Sequence, residues 1–194
     1  MQSVLQPAIA RFLSAHPGIR IAITTDYGLA DIADGRFDAG VRRGRHVAKD
    51  MIAVRIGPDI PMTVVCAPAY LDRHPAPKRP PDLASHACIN LRLPTHGEFL
   101  PWVFTKAGKE HRVKVDGPLV CSSIAPLRDA ALDGVGLAYL PEAYVRTALA
   151  SGQLVEVLGA WRKTFEGYPL YYANRRHATS AFSLLVDALR YRKP

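Results

Sequence analysis

No stretch of this sequence approaches the roughly 20 consecutive apolar residues that a membrane-spanning helix needs. The opening residues, Met1-Gln2-Ser3-Val4, lack the charged-then-apolar pattern of a secretory signal. The chain is therefore expected to be cytoplasmic and to have no membrane partner. Cysteine is scarce: Cys66, Cys88 and Cys121 are odd in number and far apart, which argues against a disulfide framework. Each sits in an apolar segment (VVCAP, HACINL, LVCSS), so all three are expected as buried, reduced thiols.

Catalytic signatures are equally lacking. There is no GxSxG elbow, no glycine-rich phosphate loop ending in Lys and Ser or Thr, no HExxH and no CxxC pair. Gly134-Val135-Gly136 is too short for a dinucleotide fingerprint. The histidines are scattered, and a lone one such as His46 or His96 is more often a surface or hydrogen-bonded residue than a ligand. No metal, cofactor or catalytic residue is expected, and the chain is not read as an enzyme. Fixed-period repeats and low-complexity tracts are missing too.

What the sequence does contain suits a globular α/β protein. Its 194 residues are 48% hydrophobic and 22% charged, enough for a sizeable core in one large domain or two small lobes. Subtracting 17 acidic from 25 basic residues leaves +8. The basic residues fall in small groups (Arg42-Arg43-Gly44-Arg45, Lys78-Arg79, Lys106 to Lys114, Arg175-Arg176, Arg190 to Lys193), without a long basic helix to track a phosphate backbone. The charge is better suited to solubility and to attracting anionic small molecules.

Periodicity predicts the elements. Leu5, Ile9, Phe12 and Leu13 form the stripe of an amphipathic first helix, stopped by His16-Pro17-Gly18. Ile19 to Ile23 predicts a strand, Tyr27 to Ala33 a second helix closed by Gly35, and Phe37 to Arg42 another strand. That rhythm implies a mostly parallel sheet. Met62 to Ala67 predicts a strongly apolar strand, and the prolines from Pro68 to Pro81 predict a stiff connector between two lobes. Beyond it come a strand at Cys88 to Leu91 and a hairpin of Trp102 to Thr105 against Arg112 to Val115. Leu119 to Cys121 then leads through Ser122-Ser123 into a helix ending at Leu132. Further strands are predicted at Val135 to Leu140, Leu154 to Leu158 and Pro169 to Ala173. Pro141 is placed in the first turn of a helix, and Ser180 is predicted to cap the last one.

Candidate ligand contacts lie at strand-to-helix junctions, where helix N-termini aim free amides at an anion. Thr24 and Thr25 occupy one, with Asp26 beside them, and Ser122 and Ser123 occupy another. Either pair could equally be ordinary helix caps. Arg43 follows a predicted strand end, where its fork could grip a carboxylate or stand solvated in a basic turn.

The runs AIARFLSAHPGIRIAI, DIADGRFDAGVRRG, VVCAPAYLDRHPAPKRPPDLASHACI and LRDAALDGVGLAYLPEAYV, in that order, closely resemble the effector-binding domain of LysR-type transcriptional regulators. The resemblance implies a two-lobed α/β fold of the type II periplasmic-binding-protein kind. One lobe is expected over 1–66 and 168–194, the other over 67–167, with a small effector, anionic or aromatic, held in the cleft. It also implies effector contacts at Thr25, Asp26, Arg43, Ser122 and Ser123, and a homodimer or tetramer. A solute-binding protein of a transport system on the same fold is the alternative.

Such regulators also carry an N-terminal winged helix-turn-helix and a linker helix, which this sequence lacks, so DNA is expected as a partner only through that missing domain. The domain's first, central strand is expected to be missing as well. Its loss would cost more than the roughly 5–15 kcal/mol by which a domain is stable. The sequence is accordingly expected to belong to a longer chain, or to accept a strand from a partner.

Overall fold

The most apolar short run, Ile60–Cys66, is the organising strand of a computed structural model that describes residues 2–24, 37–41, 51–93, 97–173 and 179–193. The chain divides into two units, Met1–Asp59 with Glu166–Pro194, and Ile60–Phe165. The proline-rich segment after Ala67 lies inside the second.

In the first unit, helix α1 (Gln2–Ala15) buries Phe12, as the apolar stripe predicts, and ends where the His16 amide bonds the Phe12 carbonyl. Strands β1 (Gly40–Val41) and β2 (Met51–Arg55) flank β11 (Pro169–Ala173) in an antiparallel sheet. Helix α5 (Ser180–Leu189) packs beside α1, and their apolar faces close over Val54, Ile56, Leu170 and Tyr172. Phe182 meets the Tyr172 ring edge-on, with centroids 5.2 Å apart.

Several expectations change here. Ile19 to Ile23 is not a strand: it has no ladder partner among the described residues, and Ile23 is 63% exposed. A period-two pattern makes a strand only where a neighbouring edge accepts its amides. Of the strand predicted at Phe37 to Arg42, the described residues form Gly40–Val41, and the described sheet of this unit is antiparallel rather than mostly parallel. Thr179, not Ser180, is the residue before α5, and its side chain makes no capping bond. The helix predicted at Tyr27 to Ala33 lies outside the described residues.

The second unit is built on β3 (Ile60–Cys66), β4 (Cys88–Leu91), β7 (Val120–Cys121), β8 (Leu137–Pro141), β9 (Val155–Val157) and β10 (Thr164–Phe165). The strand order is β10-β3-β8-β4-β7, with β9 also on β3. The β3–β8 pairing is antiparallel, whereas β8–β4 and β4–β7 are parallel. Both faces are covered, which explains the nearly unbroken apolar runs. Val64, Cys66, Cys88, Leu137 and Tyr139 point to one core, and Val65, Ile89, Ala138 and Leu140 to the other.

The first core is closed by the hairpin β5 (Trp102–Lys106) and β6 (Lys109–Val113). Ala107 and Gly108, at φ +49° and +76°, make its two-residue turn, so the strands pair Trp102 with Val113, two residues short of the Val115 that the predicted hairpin would place there. The second core is closed by α3 (Ile124–Leu132) and α4 (Arg146–Ala150).

The proline-rich stretch is structured, contrary to the connector predicted from it. Pro68–Leu71 forms helix α2 and Pro80–Ser85 a 3-10 helix, each with proline in its first turn, where a missing N–H costs nothing. Pro141 ends β8 instead of entering a helix; a short 3-10 turn, Glu142–Tyr144, separates it from α4.

Candidate functional site: the start of helix α3

Ser122 and Ser123 join the carboxyl end of β7 to α3. The β4–β7 ladder fixes this junction, with the Asn90 amide on the Leu119 carbonyl at 3.0 Å and the Arg92 amide on that of Cys121 at 2.7 Å. Gly117 lies so close to the Cys88 backbone that a Cβ there would collide with it, which lets β7 approach β4.

Ser122 is exposed and Ser123 half-buried. Ser123 is extended (φ −148°, ψ 165°) and is the residue preceding the helix, but its hydroxyl makes no capping bond. The simple cap predicted for this pair is therefore not formed, and the hydroxyl is not spent on the helix. The first turn carries no acidic residue, and Pro126 contributes no N–H. The amides of Ser123, Ile124 and Ala125 are thus the free donors at the positive end of the helix dipole.

The rest of α3 holds that end in place. Leu127 and Ala131 are fully buried, and the Ala131 carbonyl accepts the Ala67 amide at 3.2 Å. Gly134, at φ +74°, closes the helix, its amide on the Ala131 carbonyl at 3.2 Å and that of Val135 on Ala130 at 3.1 Å. A Cβ at Gly136 would strike the Ala87 carbonyl. The GVG of the sequence is a helix terminator followed by a close strand contact, not a phosphate loop.

Of the other candidates, Thr24 is exposed, in irregular chain of the first unit. Thr25, Asp26 and Arg43 lie outside the described residues, as do His46 and His96. The structure brings Ser122 and Ser123 together at one helix end.

Groups that could carry chemistry are locked into the core. Cys66, Cys88 and Cys121 are free and buried, as expected. Burial pushes the Cys66 thiol up to about 11; burial, reinforced by the Asp116 charge, pushes Cys88 up to about 12. Neither is a thiolate nucleophile at neutral pH. Burial first, and then the nearby His74, lowers the pKa of His86, whose Nδ1 lies 3.2 Å from the Tyr70 hydroxyl. That hydroxyl also accepts the Ala87 amide at 3.0 Å, so the pair ties α2 to the start of β4. Among the described residues, no cluster of three or more His, Cys, Asp or Glu side chains could hold a metal ion. No helix among them is long and apolar enough to cross a membrane.

Residues 1–193 match the family model described as the LysR substrate binding domain. The chain is 48% identical over 191 residues to the HTH-type transcriptional regulator PgrR of Escherichia coli K12, covering 98% of this chain and 64% of that protein. It is 45% identical over 193 residues to a putative transcriptional regulator of Pseudomonas aeruginosa PAO1, covering 100% and 63%. The chain thus spans just under two thirds of these relatives.

Among solved structures, the regulatory domain of AphB from Vibrio vulnificus superposes with a TM-score of 0.81 at 23% identity, covering 97% of this chain and 92% of that one. The CrgA regulatory domain of Neisseria meningitidis gives 0.80 at 24%, covering 96% and 90%. These likenesses show the fold, the two-lobed periplasmic-binding-protein-like architecture of LysR-type regulatory domains. With the family model matched along nearly its whole length, the chain belongs to the LysR substrate-binding domain family.

Proposed function

We propose that this domain binds a small anionic or aromatic effector, without transforming it, on behalf of a transcription regulator. The observation that carries the reading is the 48% identity to a protein named as a transcriptional regulator, sustained over 98% of this chain. The uncommitted Ser123 hydroxyl and the free amides of the α3 first turn, with no carboxylate near them in sequence, supply the chemistry of anion recognition in the second unit. Ser122 and Ser123 are the effector contacts proposed there; Thr24, Thr25, Asp26 and Arg43 are those proposed in the first unit.

Regulation then requires that the effector bind two states of the protein with different affinity, and that a DNA-binding module of the HTH type named in the relatives report the difference. Self-association of such a regulator, as a dimer or tetramer, belongs to the same proposal. That the relatives are named as transcriptional regulators supports binding, rather than turnover, as the role of this domain.

The reading is tested by thermal-shift screening of small carboxylates and aromatic acids against the chain, followed by mass spectrometry of the recovered ligand. A concentration-dependent rise in Tm with chemically unchanged ligand is expected; steady conversion of the ligand would replace the sensor with an enzyme.

A further inference from the structure

Two basic groups that are separate in sequence, Lys78-Arg79 and Lys106 to Lys114, meet around one tryptophan in the second unit. A groove of about 400 Å³ is lined by Arg79, Pro80 and Pro81 on one wall and by His111, Arg112 and Val113 of β6 on the other, with Trp161 between them. The Trp161 indole is held in place: its Nε1–H donates to the Lys78 carbonyl at 3.2 Å, Lys106 Nζ lies 4.4 Å from its ring centroid, and His111 meets it edge-on at 5.3 Å.

The charge at the rim is unbalanced. The side chains of Arg79 and Arg112 are 72% and 74% exposed. Their carboxylate neighbours are few. Asp82 already accepts the Lys78 and Arg79 backbone amides, and Glu110 is shared between Arg112 and Lys163. Among the described residues, the ion pairs of these basic side chains are Arg79 with Asp82 at 3.8 Å, and Arg112 and Lys163 with Glu110. Strand β6, moreover, pairs with β5 alone among the described residues, and every residue from Lys109 to Arg112 is exposed. A strand with one free edge can take another extended chain.

We propose that this groove is a docking site for an extended acidic segment of a partner protein, whose backbone adds to β6 and whose carboxylates meet Arg79, Arg112 and Lys106. Single exposed ion pairs are weak, so one small carboxylate gains little here, whereas several carboxylates on one chain act together. The walls are already ordered by two prolines and an anchored indole, so little flexibility is lost on docking. A second copy of this chain is a poor occupant, because each copy carries +8. A nucleic-acid backbone fits worse than a peptide, because a sugar-phosphate chain has no N–H groups with which to join the β6 edge, whereas an extended peptide has one at nearly every residue.

The test titrates the chain with a synthetic Asp-Glu-Phe-Asp-Glu-Asp peptide and follows tryptophan fluorescence. Trp102, the other tryptophan, is buried and supplies a constant background. Binding is expected at about 50 mM NaCl and should weaken about tenfold by about 300 mM. The R79A/R112A double variant, with unchanged circular dichroism, should lose at least about tenfold in affinity, whereas R112K should keep most of it. Amide shifts should concentrate at Lys109 to Val113. The proposal is overturned by absence of peptide binding at low salt, by equal binding to the double variant, or by benzoate or a DNA oligonucleotide binding the groove as tightly as the peptide.

Discussion

The Tyr139 hydroxyl donates a 2.7 Å hydrogen bond to the Val103 carbonyl, fastening the β5–β6 hairpin to the central sheet of the second unit. Trp102 stacks on the same Tyr139 ring at 5.4 Å and Phe104 packs against it at 5.8 Å, so one side chain of β8 holds three successive residues of β5. Tyr139→Phe keeps the ring and removes the donor, leaving a buried carbonyl short of one partner. A loss of about 1–2 kcal/mol in urea unfolding is expected, with the m-value unchanged.

Gly136 lies against the Ala87 backbone, where no Cβ fits, and Gly18 has nothing within 4 Å of the position a Cβ would take. Gly136→Ala should push β8 away from the chain entering β4 and destabilise the domain by about 1–3 kcal/mol. Gly18→Ala should lie within about 0.5 kcal/mol of the parent. Thermal unfolding of the two variants side by side checks the contrast.

Because burial holds the Cys66 thiol near 11 and the Cys88 thiol near 12, both stay protonated in the folded protein at pH values where an exposed thiol ionises. The sign follows directly. Above the ordinary thiol pKa of about 8.5 the unfolded chain releases protons that the folded chain retains, so stability falls as pH rises from there through the folded values. Cys88→Ala should flatten that alkaline slope. At pH 8, Ellman's reagent should label Cys66 and Cys88 at the rate of unfolding, not at the rate of a free thiol.

Glu156 feels opposed influences. Burial raises its pKa, but hydrogen bonds from Arg162 and Thr63 outweigh it and hold the carboxyl below its usual value. The Arg162 fork spans Glu156, with Nη2 to Oε2 at 2.7 Å, and reaches Glu142 at 2.8 Å; Thr63 donates to Glu156 at 2.9 Å. Stability from this cluster is present above the ordinary glutamate pKa of about 4.3 and is lost as pH falls through the lowered folded value. Arg162→Met should make acid unfolding less steep below that point, measured by circular dichroism across a pH series.

The second unit was largely readable from the chain. Its strands are buried on both faces, so apolar runs such as Ile60–Cys66 and Leu137–Pro141 stand out against their flanks, and Cys88–Leu91 falls where it is predicted, as does Pro169–Ala173 in the first unit. The strand predicted at Ile19 to Ile23 failed because alternation records which side chains could be buried, not whether a neighbouring edge is there to pair. Prolines misled in the same way: Pro68 and Pro80 mark the starts of short helices, and proline density alone does not separate a first turn from a linker.

At the candidate site, the sequence pointed to Ser122 and Ser123 through their position before an apolar helix. That Ser123 leaves its hydroxyl unbonded depends on backbone torsions, which composition does not encode. The basic groove was invisible for another reason. Trp161 and Lys78 are joined by a hydrogen bond across 83 positions, and no local pattern connects them.

The central claim, a sensing domain that binds an effector at the start of α3, is tested most directly by NMR. The isotope-labelled chain is titrated with a carboxylate that raises its Tm in the thermal-shift screen. The account predicts saturable shifts of the Ser123, Ile124 and Ala125 amides, an affinity weakened about tenfold or more, on the order of 1.4 kcal/mol, in Ser123→Ala or Arg43→Ala, and a ligand recovered intact. Saturation that leaves those three amides unmoved and is indifferent to both substitutions would contradict it.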